Sequence, residues 1–309
     1  MRRKVRTKHT ASFMATPIEL SAKEQAIIKR IQCISYKELY SGKQKGTMTM
    51  RHMMEKVGNV LNLFSFKRPE WGVSEVAKTL AIPKSTTSEI MASLADQGLL
   101  RRTDEGRYRL GWRLFYLSQV MLDNTDFYIE ARQVMYELVE RWGETFHLTV
   151  LDEAEVLYLE KIQGTPAVQI LLSRVGARLP AYGSGVGKVL LAHRTWHEVT
   201  TLLEEEGLKP FTPNTITSFD RLAEELEKVR RQGYGYDHEE VIQGLCCVAA
   251  PIYNENGHAL AAISISVPAY RFYPKEDAYT TIILKAAQGI SESLGYRRPR
   301  KSIETAGDV

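Results

Sequence analysis

From residue 53 onward the apolar positions fall into regular periods. Val57, Val60, Leu61 and Phe64 recur at i, i+3, i+4 and i+7, one face of a helix. A Lys-Arg-Pro-Glu-Trp-Gly break follows at 67–72. Val76, Ala77 and Leu80 then predict a short helix over Val73–Leu80, and Ala81-Ile82-Pro83-Lys84 a tight turn. A second helix is predicted from about Ser85 to Gln97, with Ile90, Met91 and Leu94 as its buried stripe. Thr86 and Glu89 offer a capping box for it. Gly98 is placed to end it as a left-handed residue. Leu99–Arg102 and Arg107–Leu110 read as two strands around Thr103-Asp104-Glu105-Gly106, a β-hairpin. Helix, helix, tight turn, helix and hairpin make a winged helix-turn-helix. Gly111 ends the wing, Trp112–Leu122 resumes helical spacing, and Asp123-Asn124-Thr125-Asp126 reads as a linker.

Helices and strands alternate in the remainder. Phe127–Trp142 is amphipathic; Phe146–Leu151, Val156–Ile162 and Val168–Leu172 read as strands; Gly185–His193 and Ser218–Gln232 read as helices. Cys246–Tyr253 and Ala259–Val267, joined by Asn254-Glu255-Asn256-Gly257-His258, predict a hairpin, and Tyr273–Leu294 a closing helix. Adjacent strand pairs with helices at either end predict an antiparallel α+β domain. The expected organisation is therefore a winged helix-turn-helix over 51–111, a linker helix over 112–126, a second domain over 127–297 and a tail over 298–309. Residues 1–50, with one short helix expected around Ser21–Ile34, read as a basic extension. It is either a partly disordered arm or an upstream stretch from a wrongly chosen start codon.

Charge sharpens this division. Residues 1–50 carry eleven lysines and arginines against three acids, a net +8, whereas residues 127–297 carry sixteen against twenty-three, a net −7. A chain basic at one end only is suited to nucleic acid at that end. No apolar run is long enough for a membrane span, and no apolar stretch follows the N-terminal arginines as a secretory signal requires. Three cysteines, Cys33 and the adjacent Cys246 and Cys247, make neither a disulfide framework nor a CxxC motif, so a cytoplasmic setting is expected.

The candidate chemistry lies in two places. At the start of the second predicted helix stand Lys84, Ser85, Thr86, Thr87, Ser88 and Glu89, whose hydroxyls and helix amides suit phosphates and base edges. Arg101, Arg102, Arg107 and Arg109 place cations on the wing. The second place is Tyr182-Gly183-Ser184-Gly185-Val186-Gly187-Lys188. This run fails the P-loop spacing and the dinucleotide fingerprint, which leaves either a glycine loop able to hold a carboxylate or a turn needed only for packing. His193 and His197 have HxxxH spacing but no third ligand in sight, and Asp237-His238-Glu239-Glu240 reads most simply as a polar loop; no metal or cofactor is expected. Cys246 and Cys247 should face opposite sides of a strand.

These residues resemble the IclR family of bacterial regulators over about 55–297. The resemblance is carried by Val73-Ser74-Glu75-Val76-Ala77 with Ile82-Pro83-Lys84-Ser85-Thr86-Thr87, and by Gly106-Arg107-Tyr108-Arg109-Leu110-Gly111. It continues in Leu179–Lys188, Gly233–Glu240, Gly244–Pro251 and Ala262–Ser266. It implies a GAF-like (profilin-like) antiparallel α/β effector domain, with a pocket including Leu179, Gly185, Val186, Asp237, Cys247, Ser264 and Ser266. Loop amides and Ser264 would hold a carboxylate, Asp237 a hydroxyl, and Leu179 and Val186 would form an apolar wall. It also implies small organic, sugar or aromatic acids as effectors, and homodimers or homotetramers. Many members carry an arginine where this chain has Glu89, so the operator sequence is expected to differ.

The expected function is a ligand-responsive regulator, a repressor of a catabolic operon, that binds double-stranded operator DNA and a small carboxylate-containing effector. The alternative is a small-molecule enzyme using Cys247 or His238 beside the glycine loop, with the winged helix as a nucleic-acid tether. The absence of a recognisable acid–base set or nucleophile dyad favours the regulator, with no catalytic residue assigned.

Overall fold

The computed structural model describes residues 50–164 and 173–297. The helix expected around Ser21–Ile34, the strand expected at Val168–Leu172 and the tail at 298–309 lie outside these residues.

The first helix, α1 (Met50–Asn62), is followed by α2 (Val73–Leu80), α3 (Lys84–Asp96) and the hairpin β1 (Leu100–Arg102) with β2 (Tyr108–Leu110). The apolar face of each element meets in one cluster: Val60, Trp71, Val76, Ile90, Met91, Leu94, Leu100 and Tyr108. Each fully buried large side chain there stabilises by roughly 1.5–3 kcal/mol, so the cluster holds three short helices that would not persist alone. The expected capping box at Thr86 is not formed. Helix α3 begins one residue earlier, after Pro83, which makes Thr86 its third residue and leaves no side-chain cap. Its end is as expected: Gly98 adopts φ +72°, a left-handed conformation that other residues resist. One contact had no signal in the pattern. Trp71 pairs with Tyr108 as a third, one-residue strand of the wing, with both backbone hydrogen bonds made at 2.8 and 3.0 Å.

Helix α4 (Trp112–Asp123) buries none of its residues, and α5 (Asp126–Trp142) starts the second domain. There β3 (Thr145–Asp152), β4 (Glu155–Gln163), β5 (Arg178–Pro180), β6 (Gly235–His238), β7 (Leu245–Tyr253) and β8 (Ala259–Pro268) form one antiparallel sheet. The spatial order is β5-β4-β3-β8-β7-β6. Helices α6 (Gly185–Leu191), α7 (Trp196–Leu203) and α8 (Phe219–Gln232) lie between β5 and β6 in the chain. A short helix α9 (Ala269–Phe272) and a 3-10 turn (Tyr273–Lys275) precede α10 (Glu276–Ser293). The closing helix therefore starts after Pro274 rather than at Tyr273. Four elements, β5, α7, β6 and α9, were not anticipated: each is too short for its period to stand out.

The two faces of this sheet differ, and the period of two explains why. Phe146, Leu148, Cys246, Val248, Ala250, Ile263, Ile265 and Val267 point one way, into a core shared with Ala131 and Met135 of α5 and Tyr279, Ile283, Ala287 and Ile290 of α10. The residues between them are His147, Cys247, Ala249, Ser264 and Ser266, small or polar, and they point the other way. Register brings Cys247 opposite Ser266 and Asp237, and Ser264 opposite both His147 and Ala249. Cys246 and Cys247 thus fall on opposite faces, as alternation requires.

Candidate functional site

The polar face of the sheet, the glycine loop and the segment after β6 enclose a cavity. Its wall contains Leu179, Gly185, Val186, Asp237, Cys247, Ser264 and Ser266, together with Tyr158, Ser173, Ser184, Val241, Ile242 and Leu245. Seven residues expected from four separate stretches of sequence are thereby brought around one space. The second group was missed because its members are ordinary strand and loop residues, made wall residues only by the fold. The cavity volume is about 30 Å³, room for about two water molecules, so a larger ligand must displace wall side chains.

The glycine run folds as a 3-10 turn (Ala181–Gly183) leading into α6. Ser184 caps α6 by accepting the Gly187 amide at 3.1 Å. A Cβ on Gly187 would lie 2.1 Å from the Ala181 carbonyl oxygen. Packing therefore accounts for Gly187, while Gly185 belongs to the cavity wall.

Behind the wall lies a buried charge cluster. Lys188, 1% exposed, pairs with Glu240 and approaches Glu225 at 3.7 Å. Asp237 accepts the Glu240 amide at 2.7 Å. Burial first, and the Glu240 carboxylate second, push Asp237 up to about 7. Burial also raises the Cys247 thiol well above its ordinary range and so keeps it protonated. Its sulfur lies 2.9 Å from Ser266 Oγ.

The other catalytic candidate, His238, is not in this wall. It stacks on Tyr236 at 4.6 Å and on Tyr273 at 6.0 Å. The HxxxH pair is also divided. His193 lies beyond α6 and bonds the Val189 carbonyl and the Tyr253 hydroxyl, while His197 is on α7. Among the described residues no group of three or more potential ligands gathers at a metal site.

On the winged helix, Lys84, Ser85, Ser88 and Glu89 are exposed on α3 and Thr86 is half-buried. Thr87 is the correction. Its side chain is fully buried, and its hydroxyl donates to the Pro83 carbonyl at 3.1 Å. The residue lies on the buried stripe of α3 with Ile90, Met91 and Leu94, and its side chain cannot reach DNA. Among the wing arginines, Arg101 and Arg102 are exposed. Arg107 pairs with Glu75 at 2.7 Å and Glu70 at 3.7 Å, and Arg109 pairs with Glu70. These two bind the wing to the N-terminal end of α2.

A winged helix-turn-helix joined through a helix to a sheet domain with a partly polar cavity is the build of a ligand-responsive transcription regulator. The chain belongs to the IclR family: the IclR helix-turn-helix domain matches residues 54–104 and the bacterial transcriptional regulator IclR C-terminal domain residues 119–292. It is 34% identical over 251 residues to the HTH-type transcriptional regulator XynR of Escherichia coli, covering 81% of this chain and 99% of that one. It is 31% identical over 230 residues to the transcriptional repressor IclR of E. coli, covering 73% and 84%. A crystal structure of an IclR homolog from Microbacterium hydrocarbonoxydans, complexed with 4-hydroxybenzoate, superposes with TM-score 0.68 at 29% identity, covering 78% of this chain and 98% of that one. Membership decides between the two functions weighed from the sequence: the chain is a DNA-binding transcription regulator that responds to a ligand, not an enzyme. No helix among the described residues is long and apolar enough to cross a membrane.

Proposed function

We propose that this protein represses a catabolic operon in the cytoplasm, and that a small carboxylate-containing effector bound in the sheet cavity alters its grip on the operator. The convergence of Asp237, Cys247, Ser264 and Ser266 with the Gly185–Val186 turn around one cavity carries this reading. Ser264 and the loop amides would bind the carboxylate, Asp237 a hydroxyl, and Leu179 and Val186 the apolar body. The 4-hydroxybenzoate held by the Microbacterium homolog supports an acid of this class, and the named repressor among the relatives supports repression.

DNA contact is assigned to Lys84, Ser85, Thr86, Ser88 and Glu89 in the major groove, and to Arg101 and Arg102 on the wing. The functional division is 51–111 for DNA, 112–126 for the linker and 127–297 for the effector. Homodimerisation through α4 would cover Trp112, Phe115, Tyr116 and Met121, which are 76%, 63%, 66% and 57% exposed in the single chain.

The test is fluorescence anisotropy of the purified protein on its own upstream DNA, at two salt concentrations and with a panel of small acids. Tight binding that salt weakens and one acid alters is the expected result. Binding indifferent to sequence, or to every acid, would refute it.

A further inference from the structure

His147 lies on the cavity face of β3, is only 2% exposed, and is not itself a wall residue. Its two ring nitrogens end on two residues that are. Nε2 is 2.9 Å from Ser173 Oγ, and Nδ1 is 3.3 Å from Ser266 Oγ. Ser266 Oγ in turn contacts Cys247 Sγ at 2.9 Å. Tyr158 packs edge-on against the imidazole at 5.2 Å and holds the ring in place. A continuous chain, Cys247–Ser266–His147–Ser173, therefore links three wall residues through one imidazole behind them.

Its proton count is constrained. Burial, with the Lys161 cation opposite on β4, pushes His147 down to about 3, so the ring is neutral. The thiol is protonated as well. Four neutral groups then carry four protons for three hydrogen bonds, and one proton is left for the cavity. A neutral imidazole donates from one nitrogen and accepts at the other, so its tautomer decides where that proton emerges.

In one arrangement Cys247 donates to Ser266, Ser266 donates to Nδ1, and Nε2–H donates to Ser173. All three bonds point the same way and strengthen one another. The opposite tautomer either brings two donors onto Ser266 Oγ or makes a hydroxyl donate to sulfur, a weak acceptor.

We infer that His147 is a positioning residue: as the Nε2–H tautomer it occupies Ser173 as an acceptor, leaves the Ser173 hydroxyl proton for the cavity, and so sets the end at which an effector's acceptor oxygen is held. The inference rests on the cavity being the effector site. Asp237 supplies an acceptor elsewhere in the same wall, so the matching ligand has an acid oxygen at one end and a hydroxyl at the other.

Two measurements test this. The full-length protein is labelled with ¹⁵N-histidine and its two-bond ¹H–¹⁵N correlations are followed from pH 5 to pH 8. One of the seven histidines should remain neutral and Nε2-protonated throughout, disappear in His147→Gln and shift in Ser173→Ala. A titrating ring, or an Nδ1–H form, at that position overturns the inference. In the second measurement 4-hydroxybenzoate is titrated calorimetrically. His147→Leu should weaken binding about tenfold, the scale of one lost hydrogen bond. His147→Gln keeps an amide N–H of similar reach and should stay within about threefold. Equal losses in both variants would mean a packing role only and would also overturn it. If this acid does not bind the unaltered protein, the effector reading fails for that acid, and the tautomer still decides the inference.

Discussion

The Arg174 guanidinium carbon lies 3.5 Å from the centre of the Phe66 ring. Arg174 follows Ser173 of the cavity wall, and Phe66 follows α1 of the winged helix. The cation–π contact therefore joins the cavity rim to the DNA-binding half within one chain, in addition to the covalent route through α4. Phe66→Ala should leave acid binding to the cavity within about twofold and reduce the effector's influence on operator affinity. Coupling between sites commonly amounts to 1–3 kcal/mol. Operator titrations with and without a bound acid check this. An unchanged ratio of the two affinities would assign the coupling to α4 alone.

The raised Asp237 gives stability a pH dependence of definite sign. Between about pH 4 and pH 7 the folded state holds a proton that the unfolded chain releases, so stability falls as pH rises through this window and levels off above it. The full effect is at most about 4 kcal/mol, from a displacement of some three pH units. Asp237→Asn keeps the oxygen that accepts the Glu240 amide and removes the ionisation. It should melt higher than the unaltered protein at pH 8 and differ least at pH 4. An effector anion near Asp237 should also take up a proton on binding, so its affinity should fall above pH 7 and lose that slope in Asp237→Asn.

Glycines 187 and 289 make a matched pair. Gly187→Ala would drive a Cβ to 2.1 Å from the Ala181 carbonyl, whereas Gly289→Ala meets nothing within 4 Å on the exposed side of α10. The first should destabilise by several kcal/mol, because backbone must move. The second should stabilise by about 0.5–1 kcal/mol through helix propensity. Denaturant melts of the two variants provide the comparison.

On the DNA side, exposed and anchored arginines should behave differently. Arg102→Ala should weaken operator binding across sequences and lower the salt slope by about one. Arg107→Ala should instead lower the melting temperature slightly, because its partners are Glu75 and Glu70 of the same domain. Equal changes in salt slope would place Arg107 on phosphate after all.

Glu89 is exposed near the N-terminal end of α3. Glu89→Ala should relax base preference without abolishing binding, since a carboxylate can select cytosine yet repels phosphate. Selection from a random library of sites reads this directly. An unchanged motif would remove Glu89 from recognition.

Local periodicity was sufficient for much of this protein. The alternation of Cys246 with Cys247, and of Ile263 and Ile265 with Ser264 and Ser266, already divides core from cavity, because strand side chains alternate with a period of two. Gly98 and the stripe Ile90–Met91–Leu94 likewise determine α3 without reference to any distant residue. What required tertiary structure depends on partners far apart in the chain. Thr87 reads as one more hydroxyl at a helix start, yet the packing of α3 turns it inward. Arg107 and Arg109 read as wing cations, but Glu70 and Glu75 lie beside them only after the hairpin closes on Trp71. His147 carries no local mark at all. Its two serine partners are 26 and 119 residues away, and only the pairing of β8 with β3 for Ser266 and the packing of the turn at Ser173 bring them to its two nitrogens. A residue's own periodicity assigns its face, whereas its hydrogen-bond partners are assigned by the packing of distant segments.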